Sequence, residues 1–363
     1  MALISYRNNS YTREWNLNIL NFSILKYRIN FEKQKGVFYV LGLPLFFSNV
    51  TSKTVEKYAN ALFRFFPNHD LYICCYSGSG EVYQLALRLP KYIENSRKKN
   101  PCIICTNKKL EQVIRMAIGD RIPIYVLFDF RCQFIAPHFE RNGKTIYVPL
   151  NRSYFTLVEQ KIMSGSGHYF DFLIPYLRKV SKDKSPVNRT ICGKVKDIRR
   201  KYHRIAFLSP EADTLQELPV EYWRSIVNFL KGEDYHVYFN AINPIYDILD
   251  VTFTRELSYR EAVELCSQSD LVLGLRSGFV ELALFKSSPK TIVIYNDFRD
   301  FCVTKLTAKQ VLEGFTLKKL PIRNSSKVTE ILYQDYHDPA SLIDFIKKIE
   351  TLVSSMKRNT PHP

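Results

Sequence analysis

This sequence has no long hydrophobic run. Its longest apolar stretch, GVFYVLGLPLFF at 36–47, is too short to cross a bilayer and contains Pro44. The first residues, MALISYRNNSYTREWNLN, lack the charged start and apolar stretch of a secretory signal, so a cytoplasmic chain is expected. Metal-binding spacings are missing as well. The seven histidines form no HxxxH or HExxH, and no metal site is expected. Cys102 and Cys105 make a CxxC, but no second pair completes a zinc site, so buried structural thiols are expected there. No Gly-Lys-Ser or Gly-Lys-Thr follows the glycine turn at 77–81, which excludes a Walker loop, and the spacing is not GxGxxG. Helix-turn-helix, RRM and zinc patterns are absent, and the basic residues are scattered, which argues against a reader of nucleic acid. Acidic side chains are outnumbered: 35 Asp and Glu stand against 52 Lys and Arg, for a net charge of +17. That balance favours anionic partners without choosing among them.

What is present is a large core. Hydrophobic residues make up 46% of the chain and aromatics 14%, and 363 residues suffice for two domains. Residues 1–50 contain two similar apolar stretches, LNFSILKYRI (20–29) and YVLGLPLFFS (39–48), which predict an N-terminal β extension, a hairpin or small meander. From residue 51 short apolar runs alternate with amphipathic stretches. LYICCY, CIIC and IPIYVLF read as strands, and SKTVEKYANALFRFF, VYQLALRL and KKLEQVIRMAIG read as helices. The stretch 181–203 is charged and poor in apolar residues, and reads as the connection between domains. The alternation restarts with IAFL and runs through DLVLGL, SGFVELALF and TIVIY. PASLIDFIKKIETLVSSM closes the chain as one helix. The expected fold is α/β: two Rossmann-like domains at 51–185 and 186–338 facing a cleft, with a C-terminal helix and tail at 339–363.

Ligands of open parallel sheets bind beyond the carboxyl ends of the strands, so the loops there are the candidate sites. In YSGSGEVYQ (76–84), Gly78 and Gly80 permit a tight strand-to-helix turn. Glu81 in the first helical turn is either a general base or a charge that complements the helix dipole. In FLSPEADTLQELP (207–219), Ser209 and Thr214 are candidates to bind phosphate or sugar oxygens, or serve as turn and cap residues. In DLVLGLRSGFVE (270–281), an arginine interrupts a buried strand and a buried helix. Arg276, with the amides of Ser277 and Gly278, suits a pyrophosphate. Glu281, one turn further, either accepts from a ribose diol or caps the helix. A fourth stretch, SGSGHYFDFLIPY (164–176), places His168 and Asp171 on one helical face, where they line an acceptor site or pack on the connection.

With these loops in place the chain resembles the GT-B glycosyltransferases that build bacterial surface polysaccharides, in the neighbourhood of the heptosyltransferases. The resemblance spans roughly residues 71–300 and is stronger in the second half. Gly80-Glu81 matches the family's glycine–acid pair, which implies a base at Glu81, although the family more often has aspartate. IAFLSPEADTLQELPVEYW, with Trp223, looks like the start of the family's donor domain. DLVLGLRSGFVELAL is similar to its donor turn but lacks the heptosyltransferases' aspartate-glycine-histidine arrangement. The resemblance implies a nucleoside diphosphate sugar bound on the second domain at Ser209, Thr214, Ser277, Gly278 and Glu281, with Arg276 meeting the departing diphosphate in place of a metal. It implies an acceptor, a glycan or a lipid-linked sugar of lipopolysaccharide or capsule synthesis, near Gly78, Gly80 and His168. No cofactor is expected beyond the nucleotide sugar as co-substrate. Peripheral contact with an anionic inner-membrane face through the basic connection is in keeping with the charge. On this reading Arg276→Ala abolishes transfer and leaves the fold intact. The competing readings are a basic nucleic-acid-binding protein, a nucleotide-sugar epimerase and a non-catalytic binding module.

Overall fold

The computed structural model describes residues 2–8, 12–19, 22–30, 35–40, 43–49, 52–75, 78–96, 100–127, 138–149, 191–212, 214–287, 289–298, 306–320, 325–333 and 339–358. It also describes Cys132, Ile135, Ile162, Ser164, Gly165, Gly167, His168, Tyr169 and Ile322. Strands β1 (Ala2–Asn8), β2 (Thr12–Ile19), β3 (Phe22–Asn30), β4 (Lys35–Val40) and β5 (Leu43–Asn49) form a five-stranded antiparallel meander. The apolar stretches at 20–29 and 39–48 mark β3 and β5; the more polar β1 and β2 carry no such signal.

The first lobe holds α1 (Ser52–Phe65), β6 (Asp70–Cys74), α2 (Ser79–Ala86), α3 (Leu89–Ser96), β7 (Pro101–Cys105), α4 (Lys108–Ile118), β8 (Ile124–Val126), β9 (His138–Arg141) and β10 (Lys144–Tyr147). Its sheet runs β8-β7-β6-β10-β9, parallel except for the β9–β10 edge hairpin. Two expectations shift here. IPIYVLF supplies only the three residues of β8, because Ile122 and Pro123 precede the strand. VYQLALRL splits into two helices, with Pro90 in the first turn of α3, where its missing N–H is tolerated.

The second lobe holds α5 (Gly193–Lys201), β11 (Ile205–Ser209), α6 (Val220–Gly232), β12 (His236–Phe239), β13 (Thr252–Phe253), α7 (Tyr259–Gln268), β14 (Leu271–Leu275), α8 (Gly278–Lys286), β15 (Lys290–Tyr295), α9 (Ala308–Phe315), β16 (Val328–Leu332) and α10 (Pro339–Arg358). Its six-stranded parallel sheet runs β13-β12-β11-β14-β15-β16, the order of a doubly wound Rossmann sheet. β11 and β14 are buried at every residue, because helices cover both faces; their sequences are therefore continuous apolar runs and not alternating ones. Asp270, which opens the run DLVLGL, accepts from the Ile205 amide (2.8 Å) and from Arg199 (2.7 Å).

Arg199 lies in the charged stretch expected to be a bare connection. Residues 193–201 are instead helix α5, with Val195 buried and its charges partly pinned to the second lobe. One apolar core runs through both lobes, from Val82 and Leu85 of α2 to Val280 and Leu284 of α8. Among the described residues no helix is long and apolar enough to cross a membrane.

Candidate functional site

The switch points of the two sheets face each other. In the first lobe the strand order reverses between β6 and β10, and the chain leaving β6 opens α2. In the second lobe it reverses between β11 and β14, and the chain leaving β14 opens α8. The openings of α2 and α8 then touch. A Cβ placed on Gly278 would lie 3.0 Å from the Gly80 amide nitrogen and 3.1 Å from that of Ser79. One on Gly80 would lie 2.4 Å from the Glu281 carboxyl carbon. Two helices approach this closely only where side chains are missing. Gly80 is therefore a packing glycine. The turn before α2 needs no left-handed glycine, since Gly78 has an ordinary φ of −68° and Gly80 has no positive φ.

Around this contact lies a cleft of about 660 Å³. The first lobe contributes Gly78, Ser79, Glu81 and Lys109; the second contributes Thr214, Arg255, Tyr259, Arg276, Ser277 and Gly278. Cross-lobe hydrogen bonds fix the walls: the Tyr259 hydroxyl donates to Ser79 Oγ (2.8 Å), and the Arg260 amide donates to Gln112 Oε1 (3.0 Å). The Lys109 ammonium sits 5.4 Å over the Tyr259 ring. Ser277 caps α8, its Oγ accepting from the Val280 amide at 3.3 Å.

Arg276 is held from several sides. Its Nε donates to the Phe315 carbonyl (3.1 Å) and its Nη2 to Glu281 Oε2 (2.8 Å). The rings of Tyr169 and Phe315 lie 5.4 and 5.9 Å from the guanidinium carbon. The other oxygen of Glu281 accepts from the Tyr169 hydroxyl at 2.7 Å. Burial works against the guanidinium's charge, but Glu281, Tyr169, Tyr295 and Glu81 together raise its pKa, so it stays charged. Burial pushes the Glu281 carboxyl above its usual range against the pull of Arg276. It pushes the Tyr169 hydroxyl up as well, helped by Glu281.

Several predicted residues therefore change place. Gly78, Glu81, Thr214, Arg276, Ser277 and Gly278 line the cleft. Glu281 is fully buried with both oxygens engaged, so it anchors Arg276 and offers no ribose contact. Gly80 lies beneath the cleft wall for the same reason. Ser209 is the last residue of β11, buried against Gly274 of β14, and does not reach the cleft. His168 is fully buried, with its Nε2 2.9 Å from the Thr316 carbonyl oxygen, so it braces the turn after α9 and is not among the residues that line the cleft. Asp171, placed beside it by the sequence, lies outside the described residues. With Glu281 buried, Arg276→Ala is expected to cost stability, because the enclosed carboxylate would lose its cation.

No motif or spacing singles out Lys109, Tyr169, Arg255 or Tyr259. Aromatics abound in this chain, and only tertiary contact distinguishes Tyr169. Arg255 donates to the Ala241 carbonyl (3.1 Å) and to Asp247 (2.5 Å) at the cleft edge. The other acid near that edge, Glu211, is spent on the backbone amides of Ile242 and Asn243. Among the described residues no group of three or more His, Cys, Asp or Glu side chains could hold a metal ion. The arrangement combines two helix openings with a buried guanidinium and two further cations. It can seat an anion, with one carboxylate, Glu81, on the facing wall.

No protein-family model matches this chain, and no curated protein matches it. Solved structures do. A glycosyl transferase of family 9 from Veillonella parvula DSM 2008 is 10% identical over 79% of this chain and 97% of that one, with a TM-score of 0.46. The E. coli ADP-heptose lps heptosyltransferase II is 12% identical over 79% and 98%, with a TM-score of 0.46. The E. coli heptosyltransferase WaaC with ADP-2-deoxy-2-fluoro heptose is 10% identical over 79% and 99%, with a TM-score of 0.43. Heptosyltransferases, which the loops resemble, are thus among the structures similar to this chain. The fold is set by the strand orders of the two Rossmann-like sheets.

Proposed function

We propose that this chain is a glycosyltransferase that moves a sugar from a nucleoside diphosphate sugar to a hydroxyl of a glycan or lipid-linked acceptor, in the synthesis of a bacterial surface polysaccharide. One observation carries the reading: a guanidinium kept charged by a buried carboxylate stands at a helix opening in the cleft between two Rossmann-like lobes. In this reading Glu81 takes the proton of the acceptor hydroxyl. The acceptor oxygen then bonds to the anomeric carbon, and the bond from that carbon to the diphosphate oxygen breaks. The leaving diphosphate takes the electron pair, and its charge is met by Arg276 and the amides that open α8, with no metal in the step. In this reading Lys109 and Arg255 extend the positive wall on either side, and Thr214, which lines the cleft, binds a phosphate or sugar oxygen. The net charge of +17 suits phosphorylated substrates and contact with an anionic inner-membrane face.

A thermal-shift panel of nucleoside diphosphates, their sugars and the matching nucleosides tests the reading. A diphosphate at about 100 times its Kd stabilises the native state by about 2.7 kcal/mol, which shows as a rise in melting temperature. The rise is expected for diphosphates and absent for nucleosides. A panel without any shift rejects the donor site.

A further inference from the structure

Ile162, His168 and Tyr169 pack against the second lobe, at the turn that ends α9 and at Glu281. The Ile162 side chain packs on Gly314, where an added Cβ would meet its Cγ2 at 2.7 Å. His168 Nε2 lies 2.9 Å from the Thr316 carbonyl oxygen. The Tyr169 ring stacks on Phe315 at 5.4 Å, and its hydroxyl donates to Glu281 at 2.7 Å. His168 and Tyr169 together therefore reach Phe315, Thr316 and Glu281, and the first and last of these hold the Arg276 guanidinium.

The turn itself is pinned from behind. Glu330 of β16 accepts from the Leu317 amide and the Thr316 hydroxyl, both at 2.7 Å. Tyr295 donates to the same carboxylate. The Phe315 carbonyl is thus a fixed acceptor for Arg276 Nε. The guanidinium plane then depends on how the Glu281 carboxylate is turned, and that carboxylate has one oxygen on Arg276 and one on Tyr169.

We infer that Tyr169, a residue distant from Arg276 in sequence, is a positioning residue for Arg276, so that its hydroxyl sets the orientation of the anion-binding guanidinium. The inference deepens the proposed function and rests on it for the identity of the anion. Without the Tyr169 hydroxyl both Glu281 oxygens fall to Arg276. A carboxylate and a guanidinium then close into a two-point fork, which turns the donors of Arg276 inward and away from the cleft. With the hydroxyl in place only one Glu281 oxygen is on Arg276, and its remaining donors are kept for the ligand.

The test is Tyr169→Phe, which keeps the ring and its stacking, measured beside Tyr169→Leu, which removes both. Isothermal titration well below the melting temperature compares the parent and both variants with nucleoside diphosphate, nucleoside and inorganic pyrophosphate. Loss of a hydrogen bond to a charged group is expected to weaken diphosphate and pyrophosphate binding about tenfold in Tyr169→Phe, and further in Tyr169→Leu, with nucleoside binding unchanged. A merely structural role would lower the melting temperature and leave the ratio of diphosphate to nucleoside affinity where it was; that result overturns the inference while the donor site stands. Pyrophosphate binding that depends on Tyr169 in a protein indifferent to nucleosides and nucleotide sugars supports the inference and removes the proposed donor. A parent protein that binds neither pyrophosphate nor any diphosphate overturns both.

Discussion

The helices α2 and α8 begin alike and end up as opposites. Each follows a parallel strand, each opens on small residues, and each carries a glutamate in or just after its first turn. Glu81 remains partly exposed on the cleft wall, whereas Glu281 is wholly buried. The difference follows from spacing. Glu81 comes directly after Gly80, about 100° further round the helix, so it turns away from the helix–helix contact towards the cleft. Glu281 comes three residues after Gly278 and shares its face, the face packed on α2. It points into the space that Gly80 leaves open. A carboxylate at the first spacing faces the cleft, and at the second it belongs to the interior. The same pair of glycines decides both outcomes.

The comparison breaks most severely if the buried acid is removed. Glu281→Ala leaves Arg276 inside without its counter-charge, and loss of one partner of a buried pair costs about 3–5 kcal/mol. Chemical denaturation should show that loss, and Arg276→Ala should show a similar one. A change below about 0.5 kcal/mol, the range of ordinary surface substitutions, would mean that Glu281 is not enclosed. Gly80→Ala comes next. Its Cβ would overlap a carboxylate that two hydrogen bonds hold in place. Overpacking of this kind costs about 1–3 kcal/mol. The same denaturation experiment, run beside Gly193→Ala, where a Cβ meets nothing, separates close approach from the general effect of replacing a helical glycine. Equal effects at the two positions would show that the lobes do not touch at Gly80.

How far the sequence shows this follows from the same contrast. The strands of both parallel sheets are legible because burial on two faces demands unbroken apolar runs, as in LVLGL of β14. The loops that could hold chemistry are legible because parallel strands place them at one edge. β16, whose sequence VTEIL mixes polar and apolar residues, carries no such run. α9 had a readable sign in the capping box of Thr307 and Gln310. The fates of Glu281, Ser209 and His168 were not legible. Each is a polar residue beside a strand end or turn, where exposure is the ordinary expectation. Each is buried by a segment far away in sequence: α2 for Glu281, Gly274 for Ser209, the α9 turn for His168. Only Arg276 announced its need for a partner, and that partner is Glu281, a side chain five residues on.

The smallest effect on the fold should come from the other glutamate. Glu81→Gln keeps the shape of the side chain, and a substitution on a cleft wall usually changes stability by no more than about 0.5 kcal/mol. It also removes a negative charge close to Arg276, so diphosphate binding should hold or tighten slightly. Transfer should nevertheless fall by about two to four orders of magnitude, because an amide cannot accept the proton of an acceptor hydroxyl. Binding and turnover therefore separate in this variant, whereas both are lost together in Glu281→Ala. Calorimetry for the diphosphate and product detection for transfer measure the two quantities on one preparation. Parental transfer by Glu81→Gln would leave α2 with an acid that only complements the helix dipole, and the contrast between the two helices would then be one of packing alone.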